Sequence, residues 1–133
     1  MRQKPALTST DCHKMMAACI AEAQKNKWAV TIAIVDDSGA ALLLERLDGA
    51  GPISAEVAMG KARTSAATKR PTKFWEDRVK EKPAFVTFPS GGVLFQGGLP
   101  IMHQGECVGA IGVSGVQSHE DEQVAQAGIS ALG

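Results

Sequence analysis

Apolar residues first take up a regular spacing at Cys12, Met15, Met16, Cys19, Ile20 and Ala23. A stripe at that period predicts an amphipathic helix with its thiols and thioethers turned inward. Thr8 stands where a hydroxyl can cap the first turn. Asp11, three residues on, can reach back to the cap's N–H. Lys25-Asn26-Lys27 places cations at the negative end of the helix dipole, which predicts the stop. The pattern then changes period. Ala29 to Asp36 is short and rich in β-branched residues, as a buried strand is. Asp36-Asp37-Ser38-Gly39 is turn chemistry, and Ala40 to Arg46 returns as the partner strand of a hairpin.

A second helix is predicted after Pro52, which suits a first helical turn. Ile53, Val57, Gly60, Thr64 and Ala67 form its stripe, small beyond Val57, so the helix can approach a sheet or a twin closely. Pro71 stops it. A short helix over about Thr72 to Lys80 follows. From Pro83 to Gly98 the chain holds two prolines and the pairs Gly91-Gly92 and Gly97-Gly98. Five of the six aromatics lie between Phe74 and Phe95. Loops concentrate aromatics where they cover something. Leu99 to His103 and Glu106 to Ser114 read as a second hairpin turning at Gln104-Gly105. Gly109 and Gly112 mark a bulge, or a place where another backbone or a ligand comes close. Ser118, with Asp121 three residues on, predicts the cap of a last helix, whose inner face is Val124, Ala127, Gly128, Ala131 and Leu132. Hairpins interleaved with helices predict an α+β fold, an antiparallel sheet flanked by helices, and exclude the doubly wound βαβ order.

Composition narrows the function classes. The 133 residues suit one domain spanning 1–133. Fourteen Lys and Arg balance fourteen Asp and Glu, which argues against a nucleic-acid binder. No apolar run approaches a membrane span, and Met1 to Pro5 leads into no apolar stretch, so no membrane partner or signal peptide is expected and the expected home is cytoplasmic. Three cysteines without a CxxC argue against a disulfide framework, and Cys12 and Cys19 read as buried hydrophobes. There is no tyrosine, hence no phenol for catalysis.

Motif chemistry is sparse. Gly60-Lys61 is followed by Ala62, so the phosphate-loop pattern lacks its hydroxyl. No G-x-S-x-G elbow occurs, and no Cys or His pair has zinc spacing. Among the histidines, His13 reads as solvated. His103 borders a turn, and His119 lies in the first turn of the last helix, a place that can face a ligand. Lys61, Arg63, Lys69, Arg70 and Lys73 form a basic run without an acid between them. Lys69, Arg70 and Lys73 suit a solvated helix end, while Lys61 and Arg63 are placed to pair with a ligand carboxylate. Glu120, Asp121 and Glu122 read as dipole partners of the last helix. An aromatic loop, a cationic helix and a glycine-rich strand thus predict three walls of one hollow, suited to a flat apolar molecule bearing carboxylates.

Several segments resemble the GlcG/HbpS-type heme-binding family. They are Ala33-Ile34-Val35-Asp36-Asp37-Ser38-Gly39 with Glu45-Arg46-Leu47-Asp48-Gly49-Ala50, and Ala58 through Ala67. Gln96-Gly97-Gly98-Leu99-Pro100-Ile101, then Gly105 through Gly115, and the helix Glu120 through Gly128, complete the match. The resemblance runs from about Leu7 to Leu132. It implies a profilin- or PAS-like sandwich with a five-stranded antiparallel sheet, and a homo-oligomer, dimer or larger. Similar domains are fused to corrinoid adenosyltransferases. Heme is the one cofactor implied, with His119 or His103 as its iron ligand. The loop Phe88 to Phe95 departs from the family in carrying no histidine.

Three functions follow as expectations. The first is a binding protein for heme or a similar flat ligand. The second is a cofactor-free enzyme on a small aromatic acid, such as a hydroxylaminobenzoate lyase, since a similar protein has that assignment. The third is a ligand-free structural or regulatory module. The expected binding residues are Lys61, Arg63, Phe74, Trp75, Phe88, Phe95, Gly97, Gly98 and Ser114. His119 and Glu122 are the expected proton-moving groups.

Overall fold

The computed structural model describes residues 1–133. Helix α1 (Ser9–Lys25) opens as its sequence predicts. The Thr8 hydroxyl accepts from the Asp11 N–H at 3.1 Å, and the Asp11 carboxylate accepts from the Thr8 N–H at 2.9 Å. Strands β1 (Thr31–Asp36) and β2 (Ala41–Arg46) form the first hairpin. Its turn is held by the Asp36 carboxylate, which accepts from the N–H groups of Ser38 and Ala40 and from the Ser38 hydroxyl. Then come α2 (Ile53–Thr68), α3 (Thr72–Glu81), a 3-10 turn (Pro83–Thr87), β3 (Gly98–His103), β4 (Glu106–Ser114) and α4 (Ser118–Leu132).

The sheet is antiparallel throughout, in the order β2-β1-β4-β3. It has four strands, which corrects the expected five. The longest stretch outside α-helices and strands, between α3 and β3, is broken by Pro83, Pro89 and paired glycines. Its backbone is held by local turns, by Gly60 of α2 and by side chains, and meets the sheet only where Gly97 accepts from Val113 at the start of β3.

Helix α2 covers one face of the sheet, and α1 with α4 cover the other. The α1/α4 side holds the larger core, where Ile32, Ile34, Leu99, Ile101, Ile111 and Val113 meet Met15, Met16, Cys19 and Val124. The α2 side is built almost wholly of small residues, with Ala33, Val35 and Ala110 against Ala58, Ala62 and Ala66. All three cysteines are buried and unpaired. Burial pushes the Cys19 thiol up to about 12, so it behaves as a small hydrophobe.

Two expectations about helix faces are corrected. Helix α2 buries Ser54, Ala58, Lys61, Ala62, Ser65 and Ala66 along with Gly60 and Thr64, while Ile53 and Ala67 are exposed. The sheet covers one side of α2 and the loop at Ser90 and Val93 covers another, so apolarity does not mark its inner face. Helix α4 is capped by Gln117, whose N–H is accepted by Glu120, and not by Ser118 with Asp121. Asp121 is instead turned into the interior.

Candidate functional site

Lys61 is 0% exposed in the middle of α2. Its stem runs toward β4, and its ammonium donates to the Val113 carbonyl at 2.9 Å and to the Asp121 carboxylate at 3.1 Å. The Phe95 ring lies over it, with the ring centroid 4.8 Å from Nζ. The other Asp121 oxygen accepts from the Val116 N–H at 3.2 Å. A buried charge persists only when so partnered. Burial pushes the Lys61 ammonium below the usual lysine range, against the pull of Asp121. Burial likewise pushes the Asp121 carboxyl up, against the pull of Lys61.

The segment from Ser90 to Gly98 is fastened around this pair. Val93 N–H donates to the Gly60 carbonyl at 3.1 Å, and Val113 N–H donates to the Gly97 carbonyl at 3.0 Å. Gly97 adopts φ +135, and a Cβ there would sit 2.5 Å from Lys61 Nζ, so only glycine fits. Gly98 N–H donates to the Thr72 hydroxyl at 2.9 Å. Gln96 bridges two helices. Its N–H donates to Glu76 Oε1 at 3.3 Å, and its side-chain amide donates to Glu122 Oε2 at 2.9 Å.

The three predicted walls therefore do converge, but side chains fill the space between them. The Lys61 ammonium occupies what was expected to be the ligand's place and is not free for a ligand carboxylate. The open space lies one layer out, between α3 and the loop. It is a cleft of about 450 Å³ lined by Val79, Val86, Val93, Leu94 and Phe95, with Glu76 and Lys80 also in its lining. Phe95, 43% exposed, joins the inner pair to this outer cleft.

The other expected residues are dispersed. Trp75 stacks on Phe88 at 4.6 Å, meets Phe74 edge-on at 5.1 Å, and donates its indole N–H to the Thr68 hydroxyl at 2.9 Å. Phe74 lies under the guanidinium groups of Arg70 and Arg78. These three aromatics thus form a partly exposed cluster of their own. Arg63 lies on the outer face of α2, its Nε donating to the Gly39 carbonyl at 3.4 Å, away from the cleft. Gly98 is buried at the start of β3, and Ser114 is half-buried at the end of β4. Glu122 touches the site through Gln96 alone, and His119 is exposed. His103 lines a separate hollow of about 310 Å³ with Leu7, Met102 and Leu132.

Sequence reasoning missed the cleft lining on α3 and the partner of Lys61. Glu76, Val79 and Lys80 are spaced 3 and 4 apart, the spacing of one helix face, and could have been found. Asp121 lies 60 residues from Lys61, and nothing local marks the pairing.

Comparison with known proteins gives this architecture relatives. The family described as "Haem degrading protein HbpS-like" matches residues 7–130. The chain belongs to the HbpS-like family. Protein GlcG of Escherichia coli is 43% identical over 115 residues, 86% of this chain and 85% of that protein. A crystal structure of a double mutant of HbpS from Streptomyces reticuli superposes with a TM-score of 0.92 at 36% identity, covering 100% of this chain and 91% of that one. The structure of a PduOC–heme complex gives a TM-score of 0.88 at 30% identity, covering 96% of this chain and 95% of that one. This HbpS-like chain has no helix long and apolar enough to cross a membrane.

Proposed function

We propose that the chain binds heme, or a similarly flat carboxylate-bearing molecule, in the cleft between α3 and the loop Val93–Phe95. The observation that carries this reading is the cleft's lining. Five apolar side chains give a flat ring its burial, and the exposed Lys80 ammonium, 3.7 Å from Glu76 Oε2, can exchange that loose surface pair for a ligand carboxylate at the edge. The Phe95 ring is braced from within by the buried Lys61–Asp121 pair, so one wall is preorganised. A relative solved as a heme complex supports the ligand class. The fit is to the ring and its acids, not to iron. No histidine, cysteine or methionine lines the cleft, so it offers no strong axial ligand.

The test is a titration with hemin and with metal-free protoporphyrin IX, followed by the shift of the Soret band and by quenching of tryptophan fluorescence. Both should bind with similar affinity. Lys80→Glu and Val93→Asp should each weaken both about tenfold or more, corresponding to about 1.4 kcal/mol. Failure of either porphyrin to bind overturns the reading. So does binding of hemin alone that His103→Ala abolishes, which would put the iron in the His103 hollow.

A second reading, an enzyme on a small aromatic acid, is favoured by one observation: a carboxylate, Glu76, lines the cleft, and Gln96 links it to Glu122. In this reading Glu76, paired at the surface with Lys73 and Lys80, moves a proton on the bound ligand, and Lys80 turns to the ligand's carboxylate. Ammonia release from hydroxylaminobenzoate that Glu76→Gln abolishes would establish it. Unchanged substrate would exclude that substrate.

A further inference from the structure

Heme binding in the cleft uses Lys61 only as a brace for Phe95, yet the Lys61 amine is a nucleophile set one side chain behind the cleft. The Phe95 ring lies between the two. Its centroid is 4.8 Å from Lys61 Nζ, and the same ring, 43% exposed, lines the cleft. Beside the amine stands Gly97, and any residue with a Cβ there would press on Nζ at 2.5 Å. The segment that carries the ring is tied at its ends. Val93 N–H donates to the Gly60 carbonyl, the Gly97 carbonyl accepts from Val113 N–H, and Gln96 is held by Glu76 and Glu122. Leu94 and Phe95 form no backbone hydrogen bond of their own. A change of Phe95 rotamer therefore uncovers the amine without unfastening the segment.

The amine also has its acid in place. Lys61 Nζ and Asp121 Oδ2 are 3.1 Å apart, within reach of a proton transfer. Burial pushes the lysine value down and the aspartate value up, so the interior favours the neutral form of each. A proton passed from the ammonium to Asp121 leaves a free amine beside a carboxylic acid, the two groups needed to condense with a carbonyl compound. The nitrogen lone pair bonds to the carbonyl carbon, and the carbonyl oxygen takes the proton from Asp121. The surplus proton on nitrogen returns to Asp121, which hands it to the hydroxyl as this leaves as water. The nitrogen lone pair then closes the C=N bond. The net change turns an ammonium and an aldehyde into a protonated imine and one water. Charge is conserved, so the buried Asp121 carboxylate faces a cation before and after.

We propose that Lys61 is a covalent capture site, whose amine condenses reversibly with a flat aromatic aldehyde bearing a carboxylate, with Asp121 carrying the proton and Phe95 as the gate. The apolar lining of the cleft takes the ring of such a molecule, and Lys80 takes its acid. The proposal rests on the cleft reading above for where the aldehyde sits, and adds the bond.

The test is trapping on the whole chain with 4-carboxybenzaldehyde and cyanoborohydride, which reduces the imine to a stable amine, followed by peptide mass mapping. Lys61 should be labelled about tenfold or more ahead of exposed lysines such as Lys14 and Lys82, because the cleft holds the aldehyde beside one amine. At saturating aldehyde, Phe95→Ala should label Lys61 faster still, since the gate is gone. Mapping the wild type needs no variant to fold. Label confined to exposed lysines overturns the proposal, as does a Lys61 that reacts only when the chain is unfolded in urea. So does a Lys61 rate that Phe95→Ala leaves unchanged. Titration with protoporphyrin IX reads the cleft separately. Porphyrin that binds while Lys61 stays unlabelled keeps the cleft reading and overturns the covalent step. Labelled Lys61 in a chain that binds no porphyrin keeps the covalent step and overturns the porphyrin reading.

Discussion

The two faces of the sheet solve one packing problem with different material. Toward α1 and α4 the sheet presents Ile32, Ile34, Ile101, Ile111 and Val113, and methionines fill the space between layers. Toward α2 it presents Ala33, Ala110 and Gly112, and the helix answers with Ala58, Ala62 and Ala66. On the first face the layers touch through the ends of flexible side chains, which can move. On the second they touch nearly backbone to backbone. A Cβ on Gly112 would meet the Ala58 carbonyl and, at 2.5 Å, the Ala62 nitrogen. The close face also admits a buried ion pair. A helix this near the strands delivers the Lys61 ammonium to the Val113 carbonyl at the end of β4, where Asp121 waits at the start of α4. The thick face supplies bulk hydrophobic stability, and the thin face supplies register and the site.

The largest effect that would break this comparison comes from the buried pair. Lys61→Met leaves the Asp121 carboxylate buried without its partner. It should cost about 3–5 kcal/mol in urea unfolding. Lys61→Met/Asp121→Leu should recover most of the loss, because a well-packed apolar pair replaces a buried ionic one at little net cost. A double variant as unstable as the single would mean that the pair's worth lies in its contacts to Val113 and Phe95.

Next come two glycines, one on each face. Gly112→Ala drives a methyl into the backbone of α2 and should destabilise by about 3 kcal/mol. Gly128→Ala on α4 meets the Cys19 thiol, the end of Ile111 at 2.8 Å and the Met15 carbonyl at 3.2 Å. The two side-chain atoms can shift and the carbonyl must give by a few tenths of an ångström, which alanine's helix preference of about 1 kcal/mol partly offsets, so the net cost should be about 1–2 kcal/mol, below that at Gly112. Equal costs at the two positions would refute the contrast between the faces. Ile111→Val in the thick core should cost about 1 kcal/mol, well below Gly112→Ala, by thermal or chemical unfolding.

The smallest effect lies outside both faces. The hydrogen bond from the Ser38 side chain, with those from the backbone of Ala40 and Ser38, holds the Asp36 carboxyl below the usual aspartate range. The unfolded chain therefore binds this proton more readily. The turn's contribution is complete above the ordinary aspartate value and is lost as pH falls through it toward the lower folded value. Asp121 runs the other way. Its raised folded value adds stability as pH falls toward the ordinary range. Unfolding measured from neutral pH downward should show Asp36→Asn flattening the acid limb, while a variant lacking the Lys61–Asp121 pair should steepen it.

Periodicity and turn chemistry were enough to read α1 with its Thr8–Asp11 cap, both hairpins, α3 and the course of α4, because each rests on contacts between near neighbours in sequence. The close approach at Gly109 and Gly112 was legible too, since a missing side chain in a β-rich run leaves few other uses. The family was readable from Gln96 to Gly115 for the same reason: closely spaced glycines dictate one backbone path.

What the sequence by itself determined, then, is the list of elements and their antiparallel pairing, which follow from local spacing and from the alternation of apolar residues. The tertiary structure alone decided the rest. Helix α2 is covered on two sides, so Ser54 and Lys61 go in while Ile53 comes out, against the order of their polarity. The segment before β3 is tied by local turns, by side chains and by Gly60 of α2, and the sheet stops at four strands. Lys61 spends its charge on Asp121, 60 residues away, which moves the open cleft outward to Glu76, Lys80 and Phe95. The physical reason is common to all three: a buried polar group is fixed by partners that folding delivers from distant parts of the chain, and spacing along the chain carries no record of them.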